Sequence, residues 1–162
     1  MSLAYKMIDS PVGKLKLVAN DKALVAVLWE NDNPTRVRLS DLVEQHAHPI
    51  LMKAEQQLNE YFVGRRKDFS IFLDMAGTPF QRSVWEALLA IPFGQTTTYV
   101  DLARHLGNPQ ATRAVGAATG RNPLSIIVPC HRVIGSRGKL TGFAGGLDAK
   151  AYLLLMEQGR QK

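Results

Sequence analysis

The chain has 162 residues, 46% of them hydrophobic and 21% charged: enough apolar side chain for one domain or two small ones, and too few charges for a disordered polyelectrolyte. Apolar runs such as Ala23-Leu-Val-Ala-Val-Leu-Trp29 are far short of the ~20 residues that cross a bilayer, and no apolar signal core opens the sequence. One cysteine, Cys130, excludes an internal disulfide and cysteine-rich zinc sites, so an intracellular protein without membrane or metal is expected.

Charge divides the chain. Residues 1–77 carry ten Lys/Arg and ten Asp/Glu, whereas residues 78–162 carry ten Lys/Arg against Glu86, Asp101, Asp148 and Glu157. All of the formal +6 therefore lies in the second half, which fits a polyanionic partner such as nucleic acid or a plain solvated basic surface.

In the first half, Tyr5–Ile8, the alternating Lys14–Ala19 and the apolar Ala23–Trp29 read as strands, the last two separated by a turn at Asn20-Asp21. From Pro49, residues Leu51, Ala54, Leu58, Tyr61 and Phe62 share a helical face that Gly64 ends, and Arg65-Arg-Lys67 reads as a solvated loop. This small α/β domain has no recognisable site.

The second half opens on Thr78-Pro-Phe-Gln81, a cap, a first-turn proline and a capping-box glutamine. Phe80, Val84, Trp85, Leu88 and Leu89 then form the expected core stripe. Thr98 caps a second helix over Tyr99–Leu106, Gly107-Asn-Pro109 turns, and a third helix is expected from Gln110 to Thr119, together a helix-turn-helix candidate. The third helix carries Ala111, Ala114, Gly116, Ala117 and Ala118 with Arg113 as its long donor. That is poor equipment for reading base edges and suits a minor groove, although small residues also let helices pack closely.

Cys130 lies in Ser125-Ile-Ile-Val-Pro-Cys-His-Arg-Val133. A lone cysteine in an apolar run is usually inert, but Pro129 breaks the strand-like run, His131 follows at once, and Arg132, Arg137 and Lys139 are expected to favour a thiolate. Glu157 ends the apolar helix beginning before Ala151-Tyr-Leu-Leu-Leu-Met156. Its carboxylate is either an exposed helix end or a partner that orients His131.

Pro129-Cys-His-Arg-Val133, Arg113-Ala-Val-Gly116, Asn122-Pro123 and Gly142-Phe-Ala-Gly-Gly146 resemble the O6-alkylguanine-DNA alkyltransferases, the methylated-DNA–protein-cysteine methyltransferases, over about residues 78–159. The resemblance implies a ribonuclease-H-like α/β domain over 1–77 and a mainly helical, winged-helix-like domain with a helix-turn-helix over 78–162. It implies a cytoplasmic monomer (nuclear in a eukaryote), without cofactor, that binds double-stranded DNA carrying O6-alkylguanine. In that family pattern Cys130 takes the alkyl group once, from O6-methylguanine and less efficiently from O4-methylthymine. His131 is the base, Glu157 orients it, and Tyr99 hydrogen-bonds the flipped guanine. Arg113, next to Ala114, fills the gap in the duplex, Tyr99 and Asn122 join these two as DNA-binding residues, and Asn122 also braces the turn. Val133, Ser125, Thr141, Phe143 and Ala144 line the pocket. A non-catalytic lesion-binding protein and a helix-turn-helix regulator are the alternatives.

Overall fold

The computed structural model describes residues 2–159, so Met1 of the expected first domain and residues 160–162 of the second lie outside the described residues. The chain forms two compact units, Met1–Ala76 and Gly77–Lys162.

In the first unit, β1 (Leu3–Ile8), β2 (Leu15–Ala19), β3 (Leu24–Trp29) and β4 (Leu42–Glu44) make one sheet in the order β3-β2-β1-β4. The pairs β1/β2 and β2/β3 are antiparallel, while β4 runs parallel to β1. Asn20 Oδ1 accepts from the N–H groups of Lys22 and Ala23 at 2.9 and 2.8 Å, which closes the expected turn into β3. The register sets Val18 opposite both Tyr5 and Ala26, and Leu3, Leu28, Leu39 and Leu42 pack with them. Helix α1 (Pro49–Phe62) packs against β1, β2 and β3 through its buried Leu51, Ala54, Leu58 and Tyr61. Phe62 is half-buried, and Gly64 at φ +79° takes the left-handed turn past the helix end. Arg65 and Lys67 are exposed as expected, but Arg66 pairs with Glu60 at 2.8 Å.

In the second unit, α2 (Pro79–Leu89) starts with both halves of the capping box in place. A Cβ on Gly77 would come within 2.5 Å of the Trp85 ring, so that corner accepts nothing larger than glycine. Trp85 Nε1 donates to the Ala118 carbonyl at 2.8 Å and ties α2 to α4 (Thr112–Gly120). The core stripe is narrower than expected: Val84, Trp85 and Leu88 are buried, whereas Phe80 and Leu89 are 37% and 43% exposed. Helix α4 and the turn at Cys130 pack against α2, and the flanking side chains of the stripe remain partly in solvent.

A short strand β5 (Thr97–Thr98) runs straight into α3 (Tyr99–His105), capped by Thr98 Oγ1 accepting from Asp101 N–H at 3.1 Å. Gly107 at φ +76° stops it. Helix α4 begins at Thr112, later than the expected Gln110, because Ala111 N–H donates to the Asn108 carbonyl and Pro109 and Gln110 remain in that turn. Residues Cys130–Arg132 form a 3-10 turn that leads into β6 (Val133–Ile134). Strand β6 pairs in parallel with β5, setting Thr97 opposite Val133 and Thr98 opposite Ile134. Helix α5 (Leu147–Glu157) follows. Among the described residues no helix is long and apolar enough to cross a membrane.

Candidate active site

Cys130 opens its 3-10 turn because Pro129 cannot donate to a strand ladder, and its side chain is 6% exposed. The segment before it is held from one side by Asn122, whose Nδ2 donates to the Val128 carbonyl at 2.8 Å and whose Oδ1 accepts from Leu124 N–H at 2.9 Å. Ile126 within this segment takes φ +74° while buried, a conformation that costs a β-branched residue about 1–3 kcal/mol. The surrounding contacts therefore over-determine the path of the chain into Cys130.

His131 and Glu157 meet as expected, with His131 Nε2 at 2.7 Å from Glu157 Oε2 and both side chains almost wholly out of water. Arg132 joins them: its Nε and Nη2 donate to the two oxygens of Glu157 at 2.7 and 2.9 Å, and its Nη1 donates to the Ile91 carbonyl at 2.7 Å. Burial alone would push the Glu157 carboxyl up, but the hydrogen bonds and charge of its two partners outweigh it and hold the group at about 2. Burial pushes His131 down from 6.5 against the pull of Glu157, and the charges of Arg132 and Lys150 add to the decrease. A neutral imidazole beside an ionised carboxylate must donate to it, so Nε2 carries the proton and Nδ1 keeps its lone pair. Nδ1 is buried and has no hydrogen-bond partner among the described residues. The ring is thus held in the tautomer that a base needs, with His131 and Arg132 together keeping Glu157 ionised.

This arrangement corrects the expected role of Arg132. Its guanidinium is committed to Glu157 and the Ile91 carbonyl, while Arg137 and Lys139 are exposed. The cation near Cys130 is instead Lys150, a residue the sequence reading passed over. It is fully buried, its pKa is lowered from 10.5 by burial, and the opposing pull comes from Cys130. Its Nζ donates to the Val133 carbonyl at 2.7 Å and, at 3.3 Å each, to the carbonyl and Oγ1 of Thr141. Thr141 Oγ1 in turn shares a hydrogen bond of 2.9 Å with the Tyr99 hydroxyl. The signal was present: Lys150 stands seven residues before Glu157, two helical turns along one face of α5.

The remaining expected residues fall into two groups. Arg113, Ala114 and Ala117 are exposed on α4, while Gly116 faces inward, where a Cβ would lie 3.8 Å from the Tyr99 ring. Val133 and Ser125 are fully buried, and Thr141, Phe143 and Ala144 are half-buried on the segment before α5. Asn122, expected both as a brace and among the DNA-facing residues, is 1% exposed with both ends of its amide engaged; it braces the turn and presents nothing at the surface. Among the described residues no group of three or more His, Cys, Asp or Glu side chains could hold a metal ion.

Residues 79–159 match the family model for the 6-O-methylguanine DNA methyltransferase DNA-binding domain, and residues 3–75 match that for its ribonuclease-like domain. The methylated-DNA–protein-cysteine methyltransferase of Methanosarcina acetivorans is 44% identical over 153 residues, covering 94% of this chain and 97% of its own. That of Mycobacterium tuberculosis is 45% identical over 161 residues, covering 96% and 93%. The crystal structure of Mycobacterium tuberculosis OGT in complex with DNA superposes with a TM-score of 0.88 at 43% identity, covering 97% of this chain and 94% of the other.

Proposed function

The chain belongs to the 6-O-methylguanine DNA methyltransferase family, and from that premise we propose that it repairs alkylated DNA by moving the alkyl group of O6-methylguanine onto Cys130. The observation that carries this reading is a sole thiol one residue from an imidazole whose Nε2–H is fixed on an ionised, buried carboxylate. DNA repair by transfer to a cysteine is the family's activity, and Cys130 is the chain's one cysteine. A non-catalytic lesion binder has no use for that constellation.

The reaction balances between these residues and solvent. His131 Nδ1 takes the proton of the Cys130 thiol through a water, with Glu157 and Arg132 stabilising the imidazolium that forms. The thiolate attacks the methyl carbon, an S–C bond forms as the C–O6 bond breaks, and the electron pair stays on the guanine. The guanine leaves as an anion that a hydrogen bond from the Tyr99 hydroxyl stabilises, and it takes its proton from solvent while the imidazolium gives up the one it received. O4-methylthymine is a poorer substrate of the same chemistry. The product is a thioether that no residue here can reverse, so each molecule acts once.

A base inside a duplex is out of the thiolate's reach and must leave the stack at a cost of a few kcal/mol. Arg113 on its slim helix face, flanked by Ala114, occupies the space left behind, and the basic excess of the second half supplies affinity for the phosphates. Asn122 braces the turn; Val133 and Ala144 meet the base through their backbones, with Ser125, Thr141 and Phe143 shaping the pocket. The protein works as a monomer in the compartment that holds the genome, the cytoplasm of a prokaryote, without a cofactor.

Intact-mass measurement after incubation with an O6-methylguanine duplex tests the reading. One methyl group per chain, on the peptide containing Cys130, is expected. Turnover beyond one equivalent or a label elsewhere overturns it.

A further inference from the structure

Thr141 Oγ1 lies between two polar neighbours, Lys150 Nζ at 3.3 Å and the Tyr99 hydroxyl at 2.9 Å. Lys150 is surrounded by three acceptor oxygens, those of Val133, the Thr141 carbonyl and Thr141 Oγ1, which match the three protons of an ammonium group. An ammonium has no lone pair to offer. Thr141 Oγ1 therefore accepts from Lys150, and the remaining neighbour toward which its own proton can turn is the oxygen of Tyr99. In that order the phenolic proton of Tyr99 is not used inside the pair and points away from Thr141.

The frame around this chain of groups is rigid. Pairing of Thr97 and Thr98 with Val133 and Ile134 fixes the backbone just before Tyr99 to the residue whose carbonyl Lys150 holds. The ring of Tyr99 packs over Gly116, and a Cβ on Gly135 would press within 2.9 Å of Thr141 Cγ2. Position and proton direction are thus set by separate contacts.

We propose, on the basis of the methyl-transfer function above, that Thr141 and Lys150 are positioning residues that orient the Tyr99 hydroxyl as a donor toward the departing guanine. Hydrogen bonds arranged in series polarise one another, so the ammonium at one end strengthens the donor at the other. The pocket residue Thr141 then acts through its hydroxyl and not through its bulk alone.

Thr141→Val keeps the shape and removes the hydroxyl, and Thr141→Ser restores it. Single-turnover transfer from an O6-methylguanine duplex at saturating DNA reads the chemical step apart from binding. Thr141→Val is expected to slow transfer about tenfold, the scale of one hydrogen bond, with Thr141→Ser within about twofold of wild type. In a Tyr99→Phe background, adding Thr141→Val should have no further effect, because the group it orients is gone. Wild-type speed for Thr141→Val, failure of Thr141→Ser to restore it, or equal slowing with and without the Tyr99 hydroxyl would overturn the proposal. Thr141→Ala carries the same expectations if the valine variant does not fold. A wild-type protein that transfers no methyl group overturns the function itself and this inference with it, and that result is distinct from any pattern among the variants.

Discussion

Among the described residues, Gln57 is the buried polar side chain of the first unit, whereas the second buries Thr119, Asn122, Ser125, His131, Arg132, Lys150 and Glu157. Gln57 has an ordinary structural task, holding the backbone and hydroxyl of Ser70 at 3.0 Å. The ion pair Lys14–Asp9 of the first unit sits in water, with side chains 52% and 85% exposed. In the second unit the pair Arg132–Glu157 is 7% and 1% exposed. Desolvating a charge costs several kcal/mol before any partner is met. A fold built for stability alone has little reason to bury four ionisable side chains in one unit, so the contrast points to the second unit as the place of the proposed chemistry.

The sharpest test of that contrast is Cys130→Ser. It should abolish methyl transfer while leaving duplex binding in place, because a neutral hydroxyl is a far weaker nucleophile than a thiolate. Transfer is read by intact mass and binding by fluorescence anisotropy; transfer to another residue would break the assignment. Arg132→Met comes next. Leaving Glu157 buried without its bidentate partner should cost about 3–5 kcal/mol, read by urea denaturation. Leu17→Ala in the first unit should destabilise by about 2–5 kcal/mol through a cavity in a fully buried site. Its transfer rate per folded molecule should nevertheless equal that of wild type, and a slower rate would make the first unit more than a scaffold.

Acid should act through the second unit. The unfolded chain protonates His131 near 6.5, while the buried ring, with its pKa lowered, does not follow. Stability is therefore full above 6.5 and falls as pH drops below it, with a slope of at most about 1.4 kcal/mol per pH unit from this group. Glu157 adds a second loss, beginning below its ordinary 4.5 and complete near 2. Urea midpoints measured from pH 8 downward should show both limbs, and His131→Gln should flatten the first. The smallest expectation belongs to Lys14→Met, which should leave the melting temperature unchanged because its partner is exposed.

Local signals were the legible ones. Thr78-Pro-Phe-Gln81, Asn20-Asp21, Gly64 and Gly107 act through atoms a few residues away, and each marks the boundary that its chemistry demands. The turn at Pro129-Cys130 was legible for the same reason. Features that depend on what packs from elsewhere were not. Phe80 and Leu89 have the right period for the α2 stripe, yet the width of the stripe is decided by α4 and the cysteine turn. The positive φ of Ile126 runs against the preference of its side chain and is imposed by the hydrogen bonds of Asn122. Arg132 reads as a general source of positive potential until α5 brings Glu157 to its guanidinium. Lys150 looks like a solvated helix lysine unless its spacing from Glu157 is noticed.

The attachment of His131 to Glu157, 26 residues further along, also orders events in time. A ribosome adding 5–20 residues per second finishes Cys130 roughly 1–5 s before the residue that orients its base. Through that interval the thiol has no imidazole aligned by Glu157. Alignment of the imidazole therefore waits until α5 has been made.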